Sequence, residues 1–158
     1  GGAGEEGTVS NAGFLDSRPY ATDERSRKAF LTSLTAFYER MKLAPLKIPV
    51  LQNKELDIFV LYNEVVSKGG FEAVVREKRW RSISDTLNLP RTCTNATFLL
   101  RSHYSKILYH YECCQRRDEA ITADEAAARV AVICPAKDDK QALQHQHQQQ
   151  HHHHQQQQ

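Results

Sequence analysis

The chain has 158 residues, room for one ordinary domain with tails, and its 40% hydrophobic content suffices for a single core. The formal net charge of +2 excludes nothing by itself, but residues 71–117 hold nine Lys and Arg against four acids, so the remainder is net acidic. There is no signal peptide and no membrane-length apolar run, and Gly1 in place of an initiator Met marks the sequence as an expected fragment.

Residues 1–22 are rich in Gly, Ser and Asn without any sustained period, and read as a disordered leader. A first helix is expected from Asp23 or Ser26, both good N-caps, with Phe30, Leu34, Phe37, Tyr38 and Met41 on one face. Pro45 and Pro49 make the stretch from Leu43 to Gln52 a loop, with Lys42, Lys47 and Lys54 in or beside it. A second helix, apolar nearly all round, is expected over 53–68 as the buried centre of a bundle. Gly69 and Gly70 end it with the left-handed conformation that glycine adopts at no steric cost. A short third helix spans Phe71 to Glu77, and a fourth carries Trp80, Ile83 and Leu87 on one face until Leu89-Pro90 stops it.

Thr92 and Thr94 then stand as N-cap candidates for the next helix. That helix places Ala96, Leu100, Tyr104, Ile107, Leu108 and Tyr111 on one arc. The opposite arc carries Thr94, Asn95, Arg101, Ser102, Ser105 and Lys106, small, polar or basic and without an acid, with Phe98 in its middle. Short donors and acceptors reach base edges while cations meet phosphate, so such a face suits a nucleic-acid groove. A plain solvated face is the alternative, though it ordinarily mixes acids with bases. Beyond Arg117, Thr122 and Glu125 fit a capping box for one extra helix within 118–135, whose Ala127, Val130, Ala131 and Ile133 either dock on the bundle or await a partner. Residues 136–158 turn almost wholly to Gln and His, a disordered tail.

A series of motifs in order gives the chain a family resemblance. Leu56, Asp57, Ile58, Phe59, Val60, Leu61 and Tyr62 come first, followed by Gly69, Gly70 and Phe71, then Lys78, Arg79 and Trp80. Thr94, Asn95 and Ala96, Leu100, Arg101 and Tyr104, and finally Leu108, Tyr111 and Glu112 complete it. This series resembles the AT-rich interaction domain (ARID), a helical DNA-binding module of transcription and chromatin regulators, over roughly residues 27–117. The run from Thr94 to Arg101 most resembles the plant subgroup in which an HMG box follows. The resemblance implies that the loop before the Thr94 helix and that helix's first turns enter the major groove. Met41, Lys42 and Leu43 depart from it, standing where many members have an Arg-Gly turn.

The expected fold is therefore an all-α bundle of about six helices over 23–117, containing a variant helix-turn-helix with a long connecting loop. The expected function is binding of AT-rich double-stranded DNA in a nuclear transcription or chromatin regulator, alongside other such proteins and away from membranes. The DNA-binding candidates are Lys47, Arg91, Thr92, Thr94, Asn95, Thr97, Phe98, Arg101, Ser102, Ser105 and Lys106. A helical protein–protein module that reads no DNA is the alternative. An RNA reader would need stacking aromatics on an open sheet, which this pattern does not offer. No phosphate loop, nucleophile elbow or zinc-protease helix occurs, so neither an enzyme nor a cofactor is expected. Cys113, Cys114, His103 and His110 lack zinc-ligand spacing, and the four cysteines read as reduced thiols.

Overall fold

The computed structural model of the protein describes residues 23–90 and 92–135; the expected leader, Arg91 and the Gln/His tail lie outside the described residues. Seven helices are found among the described residues: α1 (Glu24–Arg40), α2 (Ile58–Ser67), α3 (Phe71–Arg76), α4 (Trp80–Thr86), α5 (Ala96–Ile107), α6 (Tyr109–Gln115) and α7 (Ala123–Ile133). Between α1 and α2 lies a minimal antiparallel hairpin of β1 (Val50–Leu51) and β2 (Lys54–Glu55). The fold is thus all-α with a small hairpin inserted.

Asp23 caps α1, its Oδ1 accepting the Ser26 N–H at 3.1 Å. Leu34 and Phe37 face inward, as the apolar spacing requires. The hairpin falls partly where a loop was expected. Gln52 and Asn53 have φ of 54° and 65°, the two left-handed residues that a tight hairpin turn needs, without the glycine that normally announces one. The helix expected from Asn53 consequently starts later, at Ile58. Asp57 sets that start by accepting the Val60 N–H at 3.1 Å, and it also pairs with Arg27 of α1 at 2.6 Å.

Helix α2 ends as expected. Gly69 (φ 103°) and Gly70 (φ 100°) close it by returning their N–H groups to the carbonyls of Val66 and Val65, the paired bonds of a Schellman stop. Helices α1, α3 and α4 stop the same way with Lys42, Lys78 and Asn88 in the left-handed position, at φ of 57°, 56° and 58°. Lys42 therefore takes the conformation that a glycine would hold.

The core collects around Phe71, whose ring stacks on Tyr104 at 5.5 Å and meets Tyr109 at 5.1 Å and Trp80 at 5.9 Å. Trp80 is buried, as its place on the apolar face of α4 requires. Beside this cluster lies a buried acid. Glu112 of α6 is 2% exposed; it accepts the Tyr104 hydroxyl at 2.6 Å and the Phe71 N–H at 3.2 Å, and Arg116 stands 3.7 Å away. Burial raises its pKa above the ordinary value of 4.5, against the opposing pull of Tyr104, the Phe71 backbone and Arg116.

Two expectations about the fifth helix need correction. Its N-cap is Asn95, not Thr92 or Thr94. The carbonyls of Pro90 and Cys93 take the N–H groups of Cys93 and Ala96 at 2.9 and 3.1 Å, winding the chain into turns that delay the helix. Nor does the helix run on unbroken to Tyr111. The Tyr38 hydroxyl donates to the Ile107 carbonyl at 2.7 Å, and a helix tends to break where a side chain enters its ladder. The chain resumes as α6 after Leu108 (φ −119°). Helix α7 carries the full capping box, with Thr122 and Glu125 bonded reciprocally, and it docks on α5 and α6 through Ala126, Val130, Ile133 and Cys134.

Two expected outcomes follow from the Gly70–Glu112 contact. A Cβ at Gly70 would lie 2.6 Å from Glu112 Oε2, and that carboxylate is already fixed by its donors. Gly70→Ala should therefore cost at least about 2 kcal/mol in denaturant unfolding, and a variant within about 0.5 kcal/mol of wild type would disprove the close approach. Glu112 also makes stability depend on pH. Between 4.5 and its raised native value the folded chain holds a proton that the unfolded chain has lost, so stability falls as pH rises through that window. Glu112→Gln should flatten the melting temperature as pH rises above about 4.5, and an unchanged profile would reject the assignment.

Candidate nucleic-acid interface

Helix α5 is held by its buried side, where Ala96, Leu100 and Tyr104 face the core. That anchoring turns Phe98, Arg101, Ser102, Ser105 and Lys106 away from the centre and into an open cleft of about 880 Å³. Phe37 and Tyr38 at the end of α1, together with Leu43, Ala44, Pro45 and Lys47 of the loop after it, form the second wall. Ala123, Ala126, Ala127 and Val130 of α7 form the third.

Among the described residues, the cleft is lined by three cations, Lys47, Arg101 and Lys106, and by no carboxylate. Elsewhere on the surface several acids are engaged. Arg79 and Arg76 share Glu77, Arg117 holds Glu72 at 3.0 Å, and Arg129 holds Glu119 at 2.8 Å. Lys47 and Lys106 form no ion pair among the described residues. Within α5, the Arg101 guanidinium lies 5.6 Å from the Phe98 ring centre, and Ser105 donates to the Ser102 carbonyl at 2.8 Å. Burial and the Lys106 charge both lower the pKa of half-buried His103, which keeps that imidazole neutral beside the cationic face.

The sequence candidates divide into two groups. Lys47, Phe98, Arg101, Ser102, Ser105 and Lys106 come together in the cleft. Thr94 and Thr97 instead line a small cavity of about 150 Å³ with Arg81, Ser84 and Asp85 of α4. Thr92 is exposed and Asn95 half-buried at the head of α5, while Arg91 lies outside the described residues. Tyr38, Pro45 and the α7 wall escaped sequence reasoning, because only long-range packing brings them to α5 and nothing in local spacing signals it.

The arrangement defines a class: a helical-bundle domain in which α4, a long loop and α5 make a variant helix-turn-helix. Comparison with known proteins makes this specific. The family model of the ARID/BRIGHT DNA binding domain matches residues 26–112, and the chain belongs to that family. Its relatives include a "Protein dead ringer homolog" of Strongylocentrotus purpuratus, 43% identical over 93 residues, covering 59% of this chain and 19% of the relative. The "AT-rich interactive domain-containing protein 3A" of Danio rerio is 42% identical over 94 residues, covering 60% and 16%. The Homo sapiens protein of that name is 43% identical over 90 residues, covering 57% and 15%. The chain thus spans less than a fifth of the length of these relatives. Among the described residues no helix is long and apolar enough to cross a membrane.

Phe98 is half-buried but stands apart from the hydrophobic core, and the Asn95 side chain makes no capping bond. Phe98→Ala and Asn95→Ala should each therefore lower folding stability by less than about 1 kcal/mol, far below the ~3–5 kcal/mol of a core phenylalanine. Thermal melting checks this, and a core-sized loss would show that these side chains serve the fold.

Proposed function

We propose that the chain binds double-stranded DNA by presenting the Phe98–Lys106 face of α5 to the duplex, with a preference for A·T-rich sequence. It would act within a nuclear transcription regulator, alongside other chromatin or transcription proteins, and it would bind rather than catalyse. The observation that carries this reading is the acid-free cleft with Lys47 on one wall and Arg101 and Lys106 on the other. In the proposed pose Lys47 and Lys106, with Arg91 and Thr92 from the preceding loop, meet phosphates. Thr94, Asn95, Thr97 and Phe98 in the leading turn, with Arg101, Ser102 and Ser105 behind them, lie toward base edges. An asparagine amide pairs well with adenine N6 and N7, and an aromatic ring covers a thymine methyl, which together favour A·T. The A·T preference is also supported by the relatives named as AT-rich interactive proteins.

A salt titration of binding to an A·T-rich duplex tests the reading. Log affinity should fall with log salt at about −0.9 per phosphate contact. Lys47→Ala and Lys106→Ala should each weaken binding to all sequences and reduce the slope by about one. In contrast, Asn95→Ala and Phe98→Ala should lose about 1–3 kcal/mol of A·T discrimination with non-specific affinity kept. Slopes unchanged in both lysine variants would move the phosphate-binding surface elsewhere. Absence of duplex binding would favour the protein–protein module.

A further inference from the structure

The leading part of the α5 face carries an aromatic ring and a guanidinium held together. Phe98 is the third residue of the helix, and Arg101 follows it by three positions on the same side. Helical side chains lean toward the N-terminus, so the long Arg101 chain reaches forward over its neighbour. Its guanidinium lies 5.6 Å from the Phe98 ring centre. We propose that these two side chains act as one reader of a guanine beside a C5-methylated pyrimidine, so that the face accepts 5-methylcytosine as it accepts thymine. This inference rests on the DNA-binding reading above.

Each half has a counterpart in the major groove. The guanidinium fork matches the O6 and N7 acceptors of guanine, the commonest specific contact of an arginine. Stacking on a ring leaves that match intact, because the ring meets the face of the guanidinium while its donors lie along the edge. An aromatic ring turned to the groove has no hydrogen bond to offer, but it can cover a pyrimidine C5 methyl. Phe98 suits that use, being half-buried yet outside the hydrophobic core. Side chains three residues apart are separated by about 4.5 Å along the helix axis, against about 3.4 Å between base pairs. The two therefore reach neighbouring base pairs.

The ring cannot tell which pyrimidine bears the methyl. Thymine and 5-methylcytosine carry it at the same C5 position and differ at C4, where thymine presents an acceptor and cytosine an amino donor. The neighbours on this face that could sense the difference are Ser102 and Ser105. A hydroxyl both donates and accepts, so it satisfies either group. Neither position carries an amide or an acid that would enforce one pyrimidine over the other. Unmethylated cytosine lacks the methyl and loses the contact with Phe98. A preference for A·T sequence would thus have a built-in exception at a methylated cytosine next to guanine.

Binding-site selection from random duplexes locates the step, and a selected site with no guanine next to thymine overturns the proposal at once. Competition among otherwise identical duplexes carrying TpG, UpG, CpG or 5-methyl-CpG at that step then measures the methyl directly. Thymine over uracil and 5-methylcytosine over cytosine should each gain about fourfold, the equivalent of the ~0.8 kcal/mol for burying one methyl. Phe98→Ala should erase both differences. Arg101→Lys keeps the charge but not the fork, so it should leave the salt slope unchanged while losing a preference of about tenfold for guanine over adenine. Equal binding of the methylated and unmethylated duplexes, a methyl preference that survives Phe98→Ala, or a guanine preference that survives Arg101→Lys overturns the proposal and leaves DNA binding standing. A chain that binds no duplex overturns the DNA-binding reading and this one with it.

Discussion

The structure depends on a single buried carboxylate. Glu112 reaches from α6 to the Tyr104 hydroxyl of α5 and to the Phe71 N–H at the start of α3, in space kept open by the missing side chain of Gly70. A buried carboxyl group is costly unless it finds hydrogen-bond partners, so these partners are fixed in place together. Because Tyr104 is drawn inward, the opposite arc of α5 must face outward. The orientation of the candidate interface is thus decided on the far side of the helix, by groups that would never touch DNA.

Much of this was legible in the chain. The apolar spacing on α1, α4 and the Ala96–Tyr104 part of α5, the double glycine and the Thr122 capping box each carry a local signal, and each occurs where that signal placed it. The ordered series of motifs was enough by itself to point to the family. What was not legible required distant partners. Asn53 is taken up by the hairpin turn, and Asp57, held also by Arg27 thirty positions away, starts α2 instead. Helix α5 breaks at Leu108 because of a tyrosine on α1. The candidate site divided in the same way. Periodicity placed Phe98, Arg101, Ser102 and Ser105 on one face, but nothing local announced that α7 would stand across from them.

Charge distribution on the surface follows a related logic. Acids accompany Arg76, Arg79, Arg117 and Arg129, whose ion pairs with Glu77, Glu72 and Glu119 tie nearby segments together. Exposed pairs of this kind contribute little stability each, roughly 0–1 kcal/mol, so leaving Lys47 and Lys106 without an ion pair among the described residues costs the fold almost nothing. The net charge of the whole chain conceals this arrangement, since its positive and negative regions nearly cancel.

The left-handed helix stops have a consequence for how this domain could evolve. A side chain in that conformation costs about 1–2 kcal/mol, and a cation at a helix C-terminus regains about 0.3–1 kcal/mol from the dipole, so Lys42 and Lys78 are compromises rather than optima. Lys42 immediately precedes Leu43, which lines the cleft. Glycine there would relax the backbone but remove a positive charge from the cleft's border. At that one position a sturdier fold and a stronger grip on an anionic partner pull in opposite directions, and this chain carries the charge.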